Sequence, residues 1–447
     1  MNSLQFPANF TWGTAAAAPQ IEGAAFKDGK GESVWDRFAR IPGKIEGGAN
    51  LDVACDHYNL FEEDFALMRS MGIKDYRLSI AWPRLFPTGD GEPNLKGFDF
   101  YKRIFDSLER NGITPWVTLF HWDLPQGLED KGGWRNRETA YSFLRYTESA
   151  VKAFRDHVKN WITLNEMRCF TVLAYGDVLR PPGIVESEKV VNQTYHHALL
   201  AHGLAVGAIR EHGGPGARVG IADDSTIPVP FLETSAHASA AATAFRHLNF
   251  RSTDPLLSGG YGELYHSIAK ENAADMEAQD QQIICSPMDF FGLNCYTGVY
   301  CRAGTDSRFD ILPFPDGYPA ADADWLKLIP QALYWGPKFL KELYCIESIY
   351  ITENGAGYDD VPTPEGEILD LHRRQYVRQC LLELNRGILD GNPIHGYFLW
   401  SFMDNFEWLD GYTKRFGLCY TDYPTQKRIP KLTAHWYKEV ISQNKLL

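Results

Sequence analysis

Along the chain, short apolar runs rich in β-branched and aromatic residues alternate with longer stretches in which apolar positions return every three or four residues. The short runs are FTWGTAAAA (10–18), DYRLSIAW (75–82), TPWVTLF (114–120), VKNWITLNE (158–166), ARVGIADD (217–224), MDFFGLNCY (288–296), SIYITENG (348–355) and IHGYFLWSF (394–402). Each suits a strand buried on both faces. The longer stretches HYNLFEEDFALMRSMG (57–72) and GFDFYKRIFDSLERNG (97–112) have a helical period and end at a glycine suited to the left-handed C-terminal position. TAYSFLRYTESAVKAFRD, ALLAHGLAVGAIREHG and RRQYVRQCLLELNRGILDG repeat the helical period. Strands alternating with helices predict a parallel sheet under helical cover, and eight strands are the number that closes a barrel.

An open doubly wound sheet satisfies the same alternation, so the polar residues decide. In a (β/α)8 barrel the chemistry lies at the C-terminal strand ends and is drawn from several strands. Here Gln20 follows the first run, Arg77 lies inside the second, His121 follows the third, and Asn165 and Glu166 end the fourth. Asn294 and Tyr296 end the sixth, Glu353 the seventh, and Glu407 and Trp408 lie beyond the eighth. This distribution predicts one α/β domain over residues 1–447, a (β/α)8 barrel of the TIM type with long loops at the C-terminal face. Residues 19–55 and 297–328 are the two long excursions; such loops often wall a site, although the second is equally readable as a tolerated surface insertion.

Composition narrows the ligand. With 44 basic and 57 acidic residues the formal net charge is −13, which argues against nucleic acid or an anionic membrane as partner. No window reaches the ~18 apolar residues of a membrane span. The eight cysteines form no C-x-x-C pair, which suits a reduced, cytoplasmic setting. There is no H-E-x-x-H, and GGPGARVG (213–220) breaks the dinucleotide-loop pattern and precedes a strand, so neither a metal nor a cofactor is expected.

Glu166 and Glu353, far apart in sequence, would face one axis in a barrel. Two carboxyl groups flanking a pocket are what glycosidic cleavage needs, one to protonate the departing oxygen and one to attack or to activate water. A lone Glu at a strand end can equally cap a helix or pair with a base. Each, however, adjoins an amide, NE at 165–166 and EN at 353–354, and Asn165 is placed to hold a sugar 2-hydroxyl. Arg77, a cation in an apolar strand, needs an anion, and Glu353 is the natural one. Trp122, Trp400, Trp408, Tyr296 and Phe416 add the aromatic walls that sugar C–H faces favour.

With these residues in place, the chain resembles glycoside hydrolase family 1, the retaining β-glucosidase family, from about Phe6 to Tyr437. The motifs are FTWGTAAAAPQIEG, DYRLSIAWPRLFP, TLFHWDLP, TLNE, GLNCYT, ITENG and FEWLDGYTKRFGL. The resemblance implies Glu166 as general acid/base and Glu353 as nucleophile. It implies Gln20, His121, Asn165, Asn294, Trp400, Glu407, Trp408 and Phe416 around the sugar, with Arg77 and Tyr296 supporting Glu353. Met167, Arg168, Cys169, Leu173 and Trp325 would lie on the aglycone side. The implied mechanism is double displacement between carboxyl groups ~5–5.5 Å apart, with the charge of Glu353 raising the pKa of Glu166. The expected partner is a small β-glycoside or oligosaccharide.

The chain departs from the family pattern beside the acid, with Met167 in place of the usual proline and Arg168 where an aromatic is common; Cys295 replaces a common tyrosine. Members acting on 6-phosphosugars typically carry serine at the position of Glu407 and tyrosine at that of Phe416, and a carboxylate at 407 would repel a phosphate dianion. A catalytically silent sugar-binding barrel would have lost a carboxylate. A Schiff-base aldolase would want a lysine at a strand end, and none stands there.

Overall fold

Each apolar run forms one strand of a closed barrel: β1 (Thr11–Ala15), β2 (Asp75–Ser79), β3 (Thr114–Phe120), β4 (Asn160–Asn165), β5 (Arg218–Asp223), β6 (Phe290–Asn294), β7 (Ile349–Asn354) and β8 (Ile394–Trp400). The computed structural model describes residues 4–305 and 307–447. Every strand pairs in parallel with its neighbours in chain order, and β1 closes the ring on β8 with Ala15 opposite Trp400. The first run is shorter than the expected strand. Pro19, with φ preset for a first turn, starts the helix Ala18–Ile21, and this turn carries Gln20.

Eight main helices lie between and after the strands: α1 (His57–Ser70), α2 (Leu95–Arg110), α3 (Glu138–Phe154), α4 (Glu188–His212), α5 (Ser235–Leu248), α6 (Ala332–Tyr344), α7 (Leu371–Leu389) and α8 (Leu432–Gln443). The two glycines expected to end α1 and α2, Gly72 and Gly112, take φ of +75° and +67°. Tyr101, Ile104, Phe105 and Leu108 of α2 are buried at helical spacing, which is the periodicity read from the sequence.

The excursion at 297–328 is more than a surface insertion. Its strands Val299–Arg302 and Asp310–Leu312 join Pro228–Pro230 in a small mixed sheet, and its Trp325 meets Tyr296 edge-on at 5.5 Å. A hairpin of Cys419–Asp422 and Lys427–Pro430 was not anticipated from the sequence.

Inside the barrel, rings from opposite walls meet: Trp116 lies 5.3 Å from Phe290, 4.7 Å from Tyr350 and 5.2 Å from Phe398. Gly13 leaves the space, since a Cβ there would run into the Phe398 ring. This aromatic layer forms the floor at the N-terminal end. Above it the register slips on two strands: on β4 between Ile162 and Asn165 against β5, and on β7 between Ile351 and Glu353 against β6 and between Ile351 and Asn354 against β8. Bulges re-aim the side chains that follow them, and these two precede the paired carboxylates.

Candidate active site

The C-terminal ends of β2, β4, β6 and β7 converge on one hydrogen-bonded array. Arg77 pairs with Glu353 Oε1 through Nη1, donates from Nη2 to Asn165 Oδ1 at 2.5 Å, and from Nε to Thr118 Oγ1 at 3.2 Å. Tyr296 donates its hydroxyl to Glu353 Oε2 at 2.6 Å, so both oxygens of this carboxylate are held. Asn294 donates to Asn165 Oδ1 at 2.9 Å and to Glu166 Oε1 at 2.7 Å, and accepts from Thr352 Oγ1 at 2.7 Å. Both amide hydrogens of Asn294 are therefore engaged within the protein. Toward a sugar hydroxyl Asn294 therefore has only the remaining acceptor capacity of Oδ1 to offer, beside Glu166.

The same accounting sets the tautomer of His121. Asn165 Oδ1 already accepts two hydrogen bonds, so its Nδ2, 3.1 Å from His121 Nε2, is the donor and Nε2 the acceptor. Burial and the Arg77 charge hold the His121 pKa well below its ordinary value, so the ring is neutral and carries its proton on Nδ1.

Gln20 is fully buried; its Nε2 donates to Asn405 Oδ1 at 3.0 Å and to the Phe406 carbonyl at 2.9 Å, while Oε1 has no partner among the described residues. Burying an unpaired acceptor is costly, and a ligand hydroxyl is a natural partner for it. The Glu407 carboxylate likewise has no hydrogen-bond partner among the described residues, and burial, with Asp410 and Glu353 nearby, pushes its pKa up to about 8. Trp400 and Trp408 stack against His121, with centroids at 5.7 and 6.1 Å. Trp122, Trp408 and Trp35 continue the wall in contacts of 4.5 Å. Phe416 closes the other side, 6.1 Å from Tyr296.

Glu166, Trp122 and Trp408 all have positive φ, at +48°, +74° and +51°. Non-glycine residues held there each cost on the order of 1–3 kcal/mol, and such strain gathers at functional sites. At Glu166 it turns the chain abruptly from β4 into the short helix Met167–Phe170. Of the expected aglycone-side residues, Met167 packs into the apolar core, Arg168 reaches out to Asp224 at 3.0 Å, and the Cys169 thiol donates to Glu166 Oε2 at 3.3 Å. Leu173 is half-buried on the following turn, and Trp325 is largely exposed beside Tyr296.

The two carboxyl groups have unlike surroundings. Burial raises the pKa of Glu166 well above its ordinary value, and Asp224 and then Glu353 push it further. Glu353, the cause expected from the sequence, contributes less than burial and Asp224. Glu353 is also raised by burial, against the opposing pull of Arg77 and Tyr296, so Arg77 moderates the shift without reversing it. The proton shared in this site belongs on Glu166.

Residues 2–446 match the family model described as Glycosyl hydrolase family 1. The chain belongs to glycosyl hydrolase family 1. It is 40% identical to Beta-glucosidase A of Thermotoga maritima over 447 residues, covering all of both chains. It is 40% identical to 1,4-beta-D-glucan glucohydrolase of Thermotoga neapolitana over 443 residues, 99% of each. Among solved structures, the Thermotoga maritima beta-glucosidase in complex with glucoimidazole superposes with a TM-score of 0.91 at 39% identity, covering 99% of this chain and 100% of that one.

Sequence reasoning missed two kinds of contributor in this family 1 site. Thr118, Thr352 and Asn405 act behind the residues that face the cavity, and their signal is lost among ordinary strand and loop polar residues. Asp224 follows β5, a strand end to which no residue had been assigned, in the motif ADD.

Proposed function

We propose that the protein hydrolyses terminal β-D-glucosyl residues from β-glucosides and cello-oligosaccharides, accepting β-fucosides and β-galactosides as well, by a retaining double displacement with Glu353 as nucleophile and Glu166 as acid/base. The observation that carries this reading is the contrast between the two carboxyl groups in one array: Arg77 and Tyr296 hold both oxygens of Glu353, while Glu166 faces Asp224 and a neutral amide. A carboxylate fixed by a cation is ready to attack; one facing further negative charge keeps its proton.

In the first step Glu353 attacks the anomeric carbon as Glu166 gives its proton to the leaving oxygen. The second hydrogen of Asn165 Nδ2 is free to hold the 2-hydroxyl, a contact that strengthens as positive charge develops at the ring. Esterification then removes the charge of Glu353, and Glu166, now a carboxylate, takes a proton from the attacking water. Gln20 Oε1 is an acceptor for a sugar hydroxyl, the raised Glu407 carboxyl group can donate or accept, His121 Nδ1–H is a donor, and Trp400 supplies the apolar face.

The names of the relatives support glucosides and glucans as substrates. The unpaired acceptor of Gln20 and a Glu407 carboxyl group with Asp410 and Glu353 nearby disfavour a phosphorylated sugar, whose dianion needs donors and cations. A continuous apolar core from Phe6 to Leu446 supports action as a single domain. Eight free cysteines support a reducing, cytoplasmic setting, and no helix among the described residues is long and apolar enough to cross a membrane.

The test is hydrolysis of the p-nitrophenyl β-glycosides of glucose, fucose, galactose and glucose 6-phosphate at one pH. Turnover of the neutral sugars with retained configuration is expected. Preference for the phosphosugar, or turnover of none, would overturn the reading.

A further inference from the structure

A second carboxylate stands behind the acid/base group. Glu166 Oε2 accepts from the Cys169 thiol, the same sulfur lies 3.8 Å from Asp224 Oδ2, and one carboxyl oxygen of each acid lies with that sulfur inside a 4.8 Å cluster. Arg168 donates to Asp224 Oδ2 at 3.0 Å and closes the chain of contacts at the surface. We propose that Asp224 is a positioning residue for both proton transfers of Glu166: its carboxylate, fixed by Arg168 and acting across the Cys169 thiol, keeps the acid protonated in the first step and strengthens it as a base in the second. This rests on Glu166 being the acid/base.

Asp224 rather than Asp223 carries that charge. Asp223 is buried, accepts from the Ser225 and Ser252 hydroxyls at 2.6 and 3.5 Å, and is pushed by burial up to about 7. Asp224 is only half-buried and ion-paired, and it lines a polar cavity of about 80 Å³ with Arg168, Arg251, Asn249 and Ser252. Burial lifts Asp224 too, and Arg168 opposes the lift.

The other groups facing Glu166 do different work. Asn294 from β6 is neutral, Tyr296 serves Glu353, His121 stands behind Asn165 and is neutral, and Arg180 acts on the Cys169 side. Arg251 lies across the cavity. Glu353 opposes ionisation of Glu166 only until it is esterified. Asp224 is then the neighbouring carboxylate that keeps its charge while water is deprotonated.

The test is the pH dependence of kcat/KM with p-nitrophenyl β-glucoside. Asp224→Asn should move the alkaline limb down by about one pH unit, a loss of about tenfold on the alkaline side, while Asp224→Glu holds the limb near its original place. Arg168→Gln, which strips the cation from Asp224, should move it upward. Opposite shifts are what a merely structural role would not produce; a limb unmoved in both Asp224→Asn and Arg168→Gln, or moved the same way in both, overturns the proposal. Glu166→Gln separates the two levels. A limb that persists in that variant overturns the acid/base assignment itself, whereas one that vanishes there but ignores Asp224→Asn overturns the role of Asp224 alone.

Discussion

At the N-terminal end of the barrel, Trp116, Phe290, Tyr350 and Phe398 fill the interior with rings 4.7 to 5.5 Å apart, and the Arg218 guanidinium lies 5.3 to 5.7 Å from three of them. At the other end the barrel presents Arg77, Asn165, Asn294 and Glu353, with Gln20 Oε1 unpaired among the described residues, the raised carboxyl group of Glu407 beside it, and three residues at positive φ. The floor buries aromatic surface with few unmet polar needs, so it adds to stability. The rim buries carboxyl groups and strained backbone, which cost stability in the empty protein and are offset by the rest of the barrel. A single scaffold thus separates what holds the fold from what does the chemistry.

Breaking the rim should damage rate above all. Glu353→Gly should lower turnover by at least about 10⁴-fold, and added azide or formate should restore it with inverted configuration, read by NMR of the product. Full activity in that variant would sink the assignment of the nucleophile. Glu166→Ala comes next, with a loss of about 10³-fold on cellobiose and a far smaller one on substrates with good leaving groups. Equal losses on both would argue against an acid role.

Breaking the floor should damage stability instead. Trp116→Ala should lower the unfolding free energy by about 3–5 kcal/mol, measured with denaturant, while turnover per folded molecule stays close to that of the parent protein. A rate loss rivalling that of Glu166→Ala would show that the two ends are not independent.

The smallest effect sharpens the comparison by its sign. Burial, with Asp410 and Glu353 nearby, pushes the Glu407 carboxyl up to about 8 in the folded protein, against ~4.3 for an unfolded Glu. Between those values the folded state binds more protons than the unfolded one, so this group makes stability fall as pH rises. Glu407→Gln removes the dependence. Its Tm advantage over the parent should be absent near pH 4 and grow toward pH 8; an advantage that shrinks over that range would contradict the environment described for Glu407.

Much of the site was legible because its residues stand at strand ends that local pattern reveals. Glu166 follows WITLN and Glu353 follows IYIT, so their positions on β4 and β7 needed only a period and a boundary. Arg77 betrayed its partner because a cation inside an apolar strand has few alternatives. Asn294 was placed at the site, but which of its polar atoms are free was not legible, since that depends on Asn165, Glu166 and Thr352 from other strands. Asp224 escaped because its charge matters only through contact with Cys169 and Arg168, on a turn after a different strand.

By itself the sequence determined the eight strands, the helices between them and the two glutamates at their ends, because periodicity, helix stops and strand boundaries are set by residues a few positions apart. Tertiary structure alone decided that the ring closes, that register slips before Asn165 and Glu353 turn their side chains toward one array, and that Glu166 faces Asp224 as well as Glu353. The reason is that hydrogen-bond partners and carboxyl pKa values depend on burial and on charges brought close from distant strands, and no local pattern encodes those distances.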